Sequence, residues 1–302
     1  MSNFTCIGKK LLAGQTVLID GATGTELEKR GVPMNSKAWT AEAVLSRPET
    51  VQAVHRDYIQ AGAEVITVNS FSLAKHMLLP AGLSGQFRKL NEAAVRLAQE
   101  ARDQSSTVPV AIAGSIAPTT FCLEPAKGYL QRAEALTGYM EQAEILCRAG
   151  VDLLIVEMIS DVEQGCLAVE AACGTGLPVW LGFSCRRTEA GRLMLWDRGH
   201  TLSEGVGAIA KVGGSVAFIM HTDVSDATEA FGELKKSWPG PTGVYAHSGI
   251  FIMPNWQFNN VISPEEYALA VGVWIEMGAT VIGGCCGIGP AHIGALKKRY
   301  CL

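Results

Sequence analysis

The feature that most constrains this chain is an alternation of short, β-branched apolar runs with longer segments of helical period. Eight such runs occur, and their near-continuous apolarity is typical of strands buried on both faces. Parallel strands need long crossover connections, so alternation of this kind indicates a parallel sheet. The predicted strands are Val17 to Asp20, Val65 to Asn69, Pro109 to Gly114, Leu153 to Glu157, Val179 to Phe183, Ser215 to His221, Gly243 to His247 and Thr280 to Cys285.

Helices are predicted between these strands from their apolar period and from glycines placed for left-handed caps. Gly62, Gly150 and Gly278 each stand between a helix candidate and the next strand. The segments Ala190 to His200 and Gly249 to Asn260 lack a period and are predicted to be loop insertions. The helix candidates are Pro48 to Ala61, Phe87 to Arg102, Ala133 to Ala149, Val162 to Cys173, Ser203 to Val212 and Ser263 to Met277.

Eight strand and helix units favour a closed (β/α)₈ barrel of the TIM type, an α/β fold. A doubly wound open sheet is the competing architecture, because alternation alone fits both. The chain has 302 residues, of which 48% are hydrophobic, 18% are charged and 33 are glycine, which suits one large core with many tight turns. We therefore predict that residues 1–302 form one barrel domain.

Composition argues against several classes of function. The net charge is -4 and no run rich in lysine or arginine occurs, so we expect no nucleic-acid partner. No apolar run reaches the roughly 18 residues that span a bilayer, and the first residues lack the pattern of a signal peptide. We expect no membrane partner. The nine cysteines, an odd number, are typical of reduced thiols in a cytoplasmic protein, which makes thiol or metal chemistry feasible.

Active sites of such barrels lie at the carboxyl ends of the strands, so polar residues there are examined first. The most unusual string is Gly283-Gly284-Cys285-Cys286-Gly287, at the end of the last strand. Neighbouring side chains of a strand point to opposite faces, so both thiols reach one ion only where the backbone leaves extended geometry, which the glycines permit. A thiolate pair suits zinc, and three protein ligands leave one position for substrate. The alternative is two buried packing cysteines.

At several motifs, in order along the chain, the sequence resembles the homocysteine S-methyltransferase family. The run Gly283 to Ile293 is similar to the family signature GGCC followed by G-P-x-H-I, and Leu18 to Leu27 is similar to the opening D-G-x-x-G-T-x-L. Further matching strings are His55 to Ala63 with Asn69, Ala113 to Pro118 and Val151 to Met158. The resemblance implies transfer of a methyl group from a small sulfonium or quaternary ammonium donor to the thiol of homocysteine, giving methionine, with Zn²⁺ as cofactor.

One zinc ligand departs from the family pattern. The family has a third cysteine at the end of the sixth strand, and His221 stands at that position here. Imidazole also binds zinc, so the predicted metal ligands are His221, Cys285 and Cys286. Replacing a thiolate by imidazole removes one negative charge and would make the metal a stronger Lewis acid. His247 stands where the family usually has asparagine, and it is an alternative ligand.

The resemblance also assigns residues to substrate binding. Asp20 and Glu157 match positions that hold the α-amino group of the thiol substrate, which charge-assisted hydrogen bonds explain. Trp39 offers a ring on which a cationic donor can dock. Gly21 opens a small-residue turn whose backbone amides suit a carboxylate, and Asn69 is predicted to line the pocket. Ser115 is a further pocket candidate, and Cys185 is predicted to pack in the core.

Several alternatives stay open at the level of sequence. Asp20 could instead be a turn residue, and Glu157 could be a solvated residue at a strand end. Trp39 could instead cover the core. The barrel could act on another thiol, demethylate another compound, serve as a metal-free binding protein, or be a zinc-dependent lyase or aldolase. The expected partners are a small-molecule thiol and a cationic methyl donor whose identity the sequence does not fix. Both a monomer and a small homo-oligomer fit.

Overall fold

The computed structural model describes residues 3–34, 37–118, 131–196, 199–252 and 257–302. Twelve strands lie in these ranges, and eight of them form one parallel sheet. The strands are β1 Val17–Leu18, β2 Val65–Thr67, β3 Ala111–Ile116, β4 Leu153–Ile159, β5 Val179–Phe183, β6 Cys185–Arg187, β7 Leu193–Leu195, β8 Val216–Asp223, β9 Thr242–His247, β10 Ile250–Ile252, β11 Gln257–Asn259 and β12 Val281–Ile282.

The parallel sheet closes on itself as a barrel. Its strand order is β1, β12, β9, β8, β5, β4, β3 and β2. A bridge between Ile19 and Val65 joins the first strand of this order to the last. The predicted (β/α)₈ barrel is therefore confirmed, and the doubly wound open sheet is wrong for this chain.

Side chains on both faces of the barrel strands are buried, as the continuous apolar runs predict. Every second residue of a strand points into the barrel interior, for example Val17, Ile155 and Phe218. The residues between them, such as Leu18 and Val156, point outward and pack under the helices. This two-sided burial explains why the strands do not alternate between apolar and polar residues.

Helices cover the outside of the barrel and close its amino-terminal end. Ile7 of the first helix is buried with the interior side chains, and the ring centroid of Phe4 lies 6.2 Å from that of Trp180. Two short 3₁₀ helices, Phe71–Leu73 and Ser84–Gln86, complete the elements. The α-helices are α1 Asn3–Leu12, α2 Thr23–Lys29, α3 Ala43–Ser46, α4 Pro48–Ala61, α5 Lys75–Leu78, α6 Phe87–Ser105, α7 Arg132–Ala149, α8 Val162–Cys173, α9 Leu202–Ile209, α10 Val224–Ser237, α11 Pro264–Glu276 and α12 Pro290–Tyr300.

Two barrel strands carry an irregularity at their carboxyl ends. The register of β4 on β5 shifts between Val156 and Ile159, where Met158 adopts a φ of 58°. The register of β8 on β9 shifts between Met220 and Asp223, where His221 adopts a φ of 42°. Bulges of this kind bend a strand and redirect a side chain, so both strands depart from regular pairing where the sequence analysis expected functional residues.

The two segments predicted to be loop insertions contain strands. β6 and β7 pair antiparallel, and so do β10 and β11. The insertions thus contain hairpin strands that were not predicted, because three residues a strand are too few for a periodic signal. Among the described helices, none is long and apolar enough to cross a membrane.

Candidate active site

A cavity of about 360 Å³ opens at the carboxyl ends of the barrel strands. Its wall contains the predicted substrate and metal residues Asp20, Gly21, Trp39, Asn69, Glu157, His221, Cys285 and Cys286. Ser115, the further pocket candidate, is not among the described wall residues, and its hydroxyl bonds Glu157 from behind the wall. The described wall also includes Thr67, Phe71, Met158, Trp196, Met220, Tyr245 and His247. The predicted residues, far apart in sequence, therefore share one cavity.

His221, Cys285 and Cys286 bring three potential metal ligands together. His221 Nδ1 lies 3.6 Å from the Sγ atom of each cysteine, and the two Sγ atoms are 3.9 Å apart. Zinc bonds of about 2.3 Å to sulfur and about 2.0 to 2.1 Å to nitrogen, at tetrahedral angles, place two sulfurs about 3.8 Å apart and sulfur and nitrogen about 3.6 Å apart. The three atoms thus have the spacing of one face of a zinc tetrahedron.

The electrostatics of the thiol pair also suit a cation. The neighbouring Cys286 thiol, which hydrogen bonds with Cys285, raises the pKa of Cys285 well above its ordinary value, and burial adds to this effect. A positive charge between the two sulfur atoms would reverse it, because it stabilises the thiolate form. The donor set therefore fits a thiophilic metal ion such as zinc.

The backbone around the cysteines is not extended, which is how adjacent residues turn their sulfurs to one point. β12 ends at Ile282, and the Cys285 amide donates to the Ala246 carbonyl over 2.9 Å. Gly287 follows with a φ of 84°, and a Cβ atom there would lie 2.2 Å from the Ser248 carbonyl oxygen. Only glycine tolerates both conditions. The expected departure from strand geometry is present.

His221 is held by its bulge and by two rings. Its imidazole packs against Trp196, with ring centroids 5.5 Å apart, and against His247, with centroids 4.8 Å apart. The hydroxyls of Ser184 and Thr222 each donate to the Met220 carbonyl over 3.1 Å, directly before the left-handed residue. The hydrogen bonds hold the backbone before His221, and the ring contacts restrict its imidazole.

Asp20 lies just beyond β1 and is 3% exposed. Its two carboxylate oxygens accept from the Thr67 amide, over 2.6 Å, and from the Thr67 hydroxyl, over 3.1 Å. Burial raises the pKa of Asp20 to about 8, and the nearby charge of Glu157 adds to the shift. A buried carboxyl group that is costly to ionise gains most from a cationic ligand.

Glu157 lies beside the bulge of β4. One carboxylate oxygen accepts a very short hydrogen bond from the Ser115 hydroxyl, and the other accepts from Tyr245 Oη over 3.1 Å. Burial raises the pKa of Glu157, although these two hydrogen bonds oppose the shift. Together with Asp20 it makes one wall of the cavity acidic, which suits the ammonium group of an amino acid.

Comparison with known protein families shows which family the chain belongs to. The family model described as homocysteine S-methyltransferase matches residues 17–300. The chain belongs to the homocysteine S-methyltransferase family. The predicted family and enzyme class are thereby confirmed.

Two relatives of the homocysteine S-methyltransferase family illustrate the similarity in sequence. Homocysteine S-methyltransferase YbgG of Bacillus subtilis is 29% identical over 303 residues, which cover 92% of each chain. Betaine--homocysteine S-methyltransferase 1 of Bos taurus is 27% identical over 325 residues, which cover 96% of this chain and 74% of the relative. The similarity therefore extends over nearly the whole chain.

A solved structure agrees in fold. The metallated form of the homocysteine methyltransferase MmuM from Escherichia coli superposes with a TM-score of 0.81 and 26% identity, covering 99% of this chain and 100% of that one. The structural match extends the family relationship to the complete barrel.

The homocysteine S-methyltransferase resemblance also named Trp39, Asn69 and Gly21, and the structure shows how they are held. Trp39 has a φ of 46° and packs edge-on against Phe71 with ring centroids 6.3 Å apart. Asn69 accepts from the Thr40 hydroxyl over 2.8 Å, so it anchors the segment that carries Trp39. A Cβ on Gly21 would lie 2.3 Å from the Ile288 carbonyl oxygen. Their roles toward substrate stay predictions.

His247, the alternative ligand, is not in the three-residue group. Its ring packs on that of His221, and burial lowers its pKa to about 4. Cys185 is buried and bonded through its backbone to Thr222, as a packing residue would be. Cys122 lies outside the described residues.

Sequence reasoning missed Thr67, Tyr245 and Trp196. Tyr245 stands two residues before His247 on β9, so strand period places both side chains on the cavity side. That signal was available. Thr67 stands two residues before Asn69, so the same strand period applied to it as well. Trp196 follows the short strand β7 and carried no such signal.

Proposed function

We propose that this enzyme transfers a methyl group from a small sulfonium or quaternary ammonium donor to the thiol of homocysteine, giving methionine. The observation that carries the proposal is the triangle of His221 Nδ1, Cys285 Sγ and Cys286 Sγ, with edges of 3.6, 3.6 and 3.9 Å, beside an acidic wall in the same cavity. A metal site joined to an ammonium site matches the two ends of an amino-acid thiol.

His221, Cys285 and Cys286 would hold zinc. Bound there, zinc supplies the charge that keeps a substrate thiol, of ordinary pKa about 8.5, in its thiolate form at neutral pH. Three protein ligands would leave one coordination position for that sulfur. Because one ligand is a neutral imidazole, two thiolates balance the double charge of the ion.

Asp20 and Glu157 would bind the α-ammonium group of homocysteine. Thr67 fixes one carboxylate, and Ser115 with Tyr245 fixes the other, so both are already oriented before substrate enters. Preorganised groups lose little entropy on binding. An ammonium group between the two acids also removes their mutual repulsion, which contributes to the raised pKa of Asp20.

The aromatic wall would take the methyl donor. Trp39 and Phe71 line the cavity together with Trp196, and aromatic faces attract cations more strongly when water is excluded. In-line displacement forms the new bond from homocysteine sulfur to the methyl carbon and breaks the bond from that carbon to the cationic centre. The donor leaves as a neutral thioether or amine, and the thiol proton passes to solvent. The chain's main contribution is orientation.

Elemental analysis of protein purified under reducing conditions tests the metal site. We expect about one zinc per chain in the wild type, loss in His221→Ala and Cys285→Ala, and retention in Cys6→Ala, whose thiol is exposed on α1. Zinc loss in Cys285→Ala alone would exclude His221 from the ligand set. No zinc in the wild type would contradict the proposal and favour the metal-free barrel.

Substrate identity needs a second assay. Zinc-loaded enzyme is incubated with homocysteine and either S-methylmethionine or betaine, and methionine is measured, with cysteine and other thiols as competing acceptors. Formation of methionine with one donor identifies it. Methylation of another thiol in preference to homocysteine would support the alternative of a different acceptor. Because the proposed ligands are reduced thiols, we place the enzyme in the cytoplasm.

A further inference from the structure

The two cysteines lie in a short loop between β12 and α12, Gly283–Gly289, which we call the thiol loop. Four of its seven residues are glycine, and glycine loses the most conformational freedom on folding. Such a loop does not keep two sulfur atoms at a fixed separation unless it is anchored. We propose that Tyr58 and Tyr267 are positioning residues that anchor the two ends of the thiol loop and so set its affinity for zinc.

Tyr267 anchors the beginning of the thiol loop. It lies on α11, is fully buried, and its hydroxyl donates to the Gly283 carbonyl over 2.7 Å. In the described part of the chain, no other donor bonds that carbonyl. Gly283 also packs tightly against Ile19, the residue that follows β1, since a Cβ there would lie 2.2 Å from Ile19 Cγ1. The loop therefore starts from a point fixed by a helix on one side and a strand on the other.

Tyr58 anchors the end of the thiol loop. It lies on α4, is fully buried, and its hydroxyl donates to the Ile288 carbonyl over 3.2 Å. The same carbonyl accepts from the Ala22 amide over 2.9 Å. Ala22 belongs to the turn that follows Asp20, so this contact joins the thiol loop to the turn beside the Asp20 carboxyl group. Removal of the Tyr58 hydroxyl leaves one donor on that carbonyl.

Among the described residues, both hydroxyls donate to carbonyls of the thiol loop and neither has a hydrogen bond to a proposed metal ligand, so both would act through the loop backbone. Groups that orient metal ligands typically change metal affinity by about 10- to 100-fold when they are removed. We expect Tyr267→Phe to weaken zinc binding by about 10- to 100-fold, because the Gly283 carbonyl loses its donor. Tyr58→Phe should have a smaller effect, since the Ala22 amide still holds the Ile288 carbonyl.

The control is Tyr139→Phe. Tyr139 is also buried, and its hydroxyl bonds Gln164 Oε1 over 3.0 Å, between α7 and α8 and away from the thiol loop. All three substitutions remove one buried phenol hydroxyl, so they should cost similar folding stability. Only the two loop anchors should change metal binding.

The inference rests on the proposed zinc site, so the experiment measures both. Zinc dissociation constants are obtained by chelator competition for the wild type and the three variants, with circular dichroism to confirm the fold and Co²⁺ absorption to report ligand geometry. Weaker zinc binding and an altered Co²⁺ spectrum in Tyr267→Phe, with Tyr139→Phe unchanged, would support it. Equal zinc affinity in Tyr267→Phe and Tyr139→Phe would overturn it and leave the proposed function intact. A wild type that binds no zinc would overturn both.

Discussion

Both carboxylate oxygens of Asp20 accept hydrogen bonds from the same residue, Thr67, through its amide over 2.6 Å and its hydroxyl over 3.1 Å. Two bonds to the ionised form would ordinarily lower a carboxyl pKa, yet burial dominates and raises it from 3.8 to about 8. The folded state therefore favours the protonated acid. Ionised Asp20 therefore lowers the free energy of unfolding at neutral and alkaline pH.

Asp20→Asn should stabilise the protein, increasingly so at higher pH. The raised pKa of Asp20 gives stability that is complete below about pH 4 and is lost as pH rises through about 8. Asparagine does not ionise, so the melting-temperature gap between variant and wild type opens above pH 4 and is complete near pH 8, at roughly 9 °C. Thermal melts from pH 5 to pH 9 check this. A variant that melts below the wild type at pH 9 contradicts it.

The same substitution should weaken substrate binding, since Asp20→Asn removes the carboxyl group that would ionise on pairing with the ammonium group of the proposed substrate. We expect the affinity for homocysteine to fall by about 10- to 100-fold, measured by calorimetry with zinc-loaded protein. Affinity for a thiol without an amino group, such as mercaptoethanol, serves as the control and should be unchanged. Equal losses for both thiols would show that Asp20 does not bind the amino group.

Tyr245→Phe and Ser115→Ala should each raise the KM for homocysteine, because each removes a donor to Glu157. Hydrogen bonds to charged groups contribute about 1.5–3 kcal/mol, so about a tenfold rise is expected for each, with a smaller change in kcat. Tyr300→Phe is the control, because the Tyr300 hydroxyl on α12 donates to the Ala268 carbonyl and not to Glu157. Steady-state kinetics with homocysteine varied give the answer, and strict additivity in the double variant would argue that the two hydroxyls do not act on one carboxylate.

His221→Cys should convert the ligand set from two thiolates to three. The sulfur-to-metal charge-transfer absorption of the Co²⁺ form should rise by about half, in proportion to the thiolate count. The added negative charge makes the metal a weaker acid, so the pH at which homocysteine binds as thiolate should move upward. Absorption spectra and a pH titration of binding measure the two effects. An unchanged charge-transfer band would exclude residue 221 from the ligands.

Gly24→Ala should impair donor binding through Trp39. A Cβ on Gly24 would lie 2.1 Å from Trp39 Cζ2, so the ring has to move. If the ring holds the cationic donor, the donor KM should rise about 3- to 30-fold while homocysteine affinity stays the same. Gly207→Ala, in α9 with no atom within 4 Å of the new Cβ, is the control and should be neutral or slightly stabilising. An unaltered donor KM in Gly24→Ala would place the donor elsewhere.

Most of the barrel could be predicted from sequence because each strand is a continuous apolar run with a helix behind it. The bounds of β5, α4 and α8 agree with the predicted ones to the residue. α2 was not among the predicted helices, because it has only seven residues and begins in the small-residue turn after Asp20. α10 has a mostly polar sequence and contains Gly232, which weakens the helical signal.

The cavity residues could be predicted in identity but not in arrangement. Strand ends and the family resemblance together indicated Glu157 and His221. The bulges beside them depend on left-handed backbone at Met158 and His221, which are not residue types that favour it. Such conformations are imposed by neighbouring strands and by bonds such as that from Ser184 to the Met220 carbonyl. Only the folded barrel supplies those neighbours.

The first and last barrel strands in sequence lie side by side. β1 pairs with β12, and the Gly284 amide donates to the Asp20 carbonyl over 3.0 Å. A ribosome builds a chain from its amino end, so Asp20 is made long before Cys285 and Cys286. His221 has no thiol beside it until β12 has been made and has paired with β1 and β9. The proposed metal site would therefore form only after the barrel closes, and a nascent chain that stalls before β12 would lack both sulfur ligands.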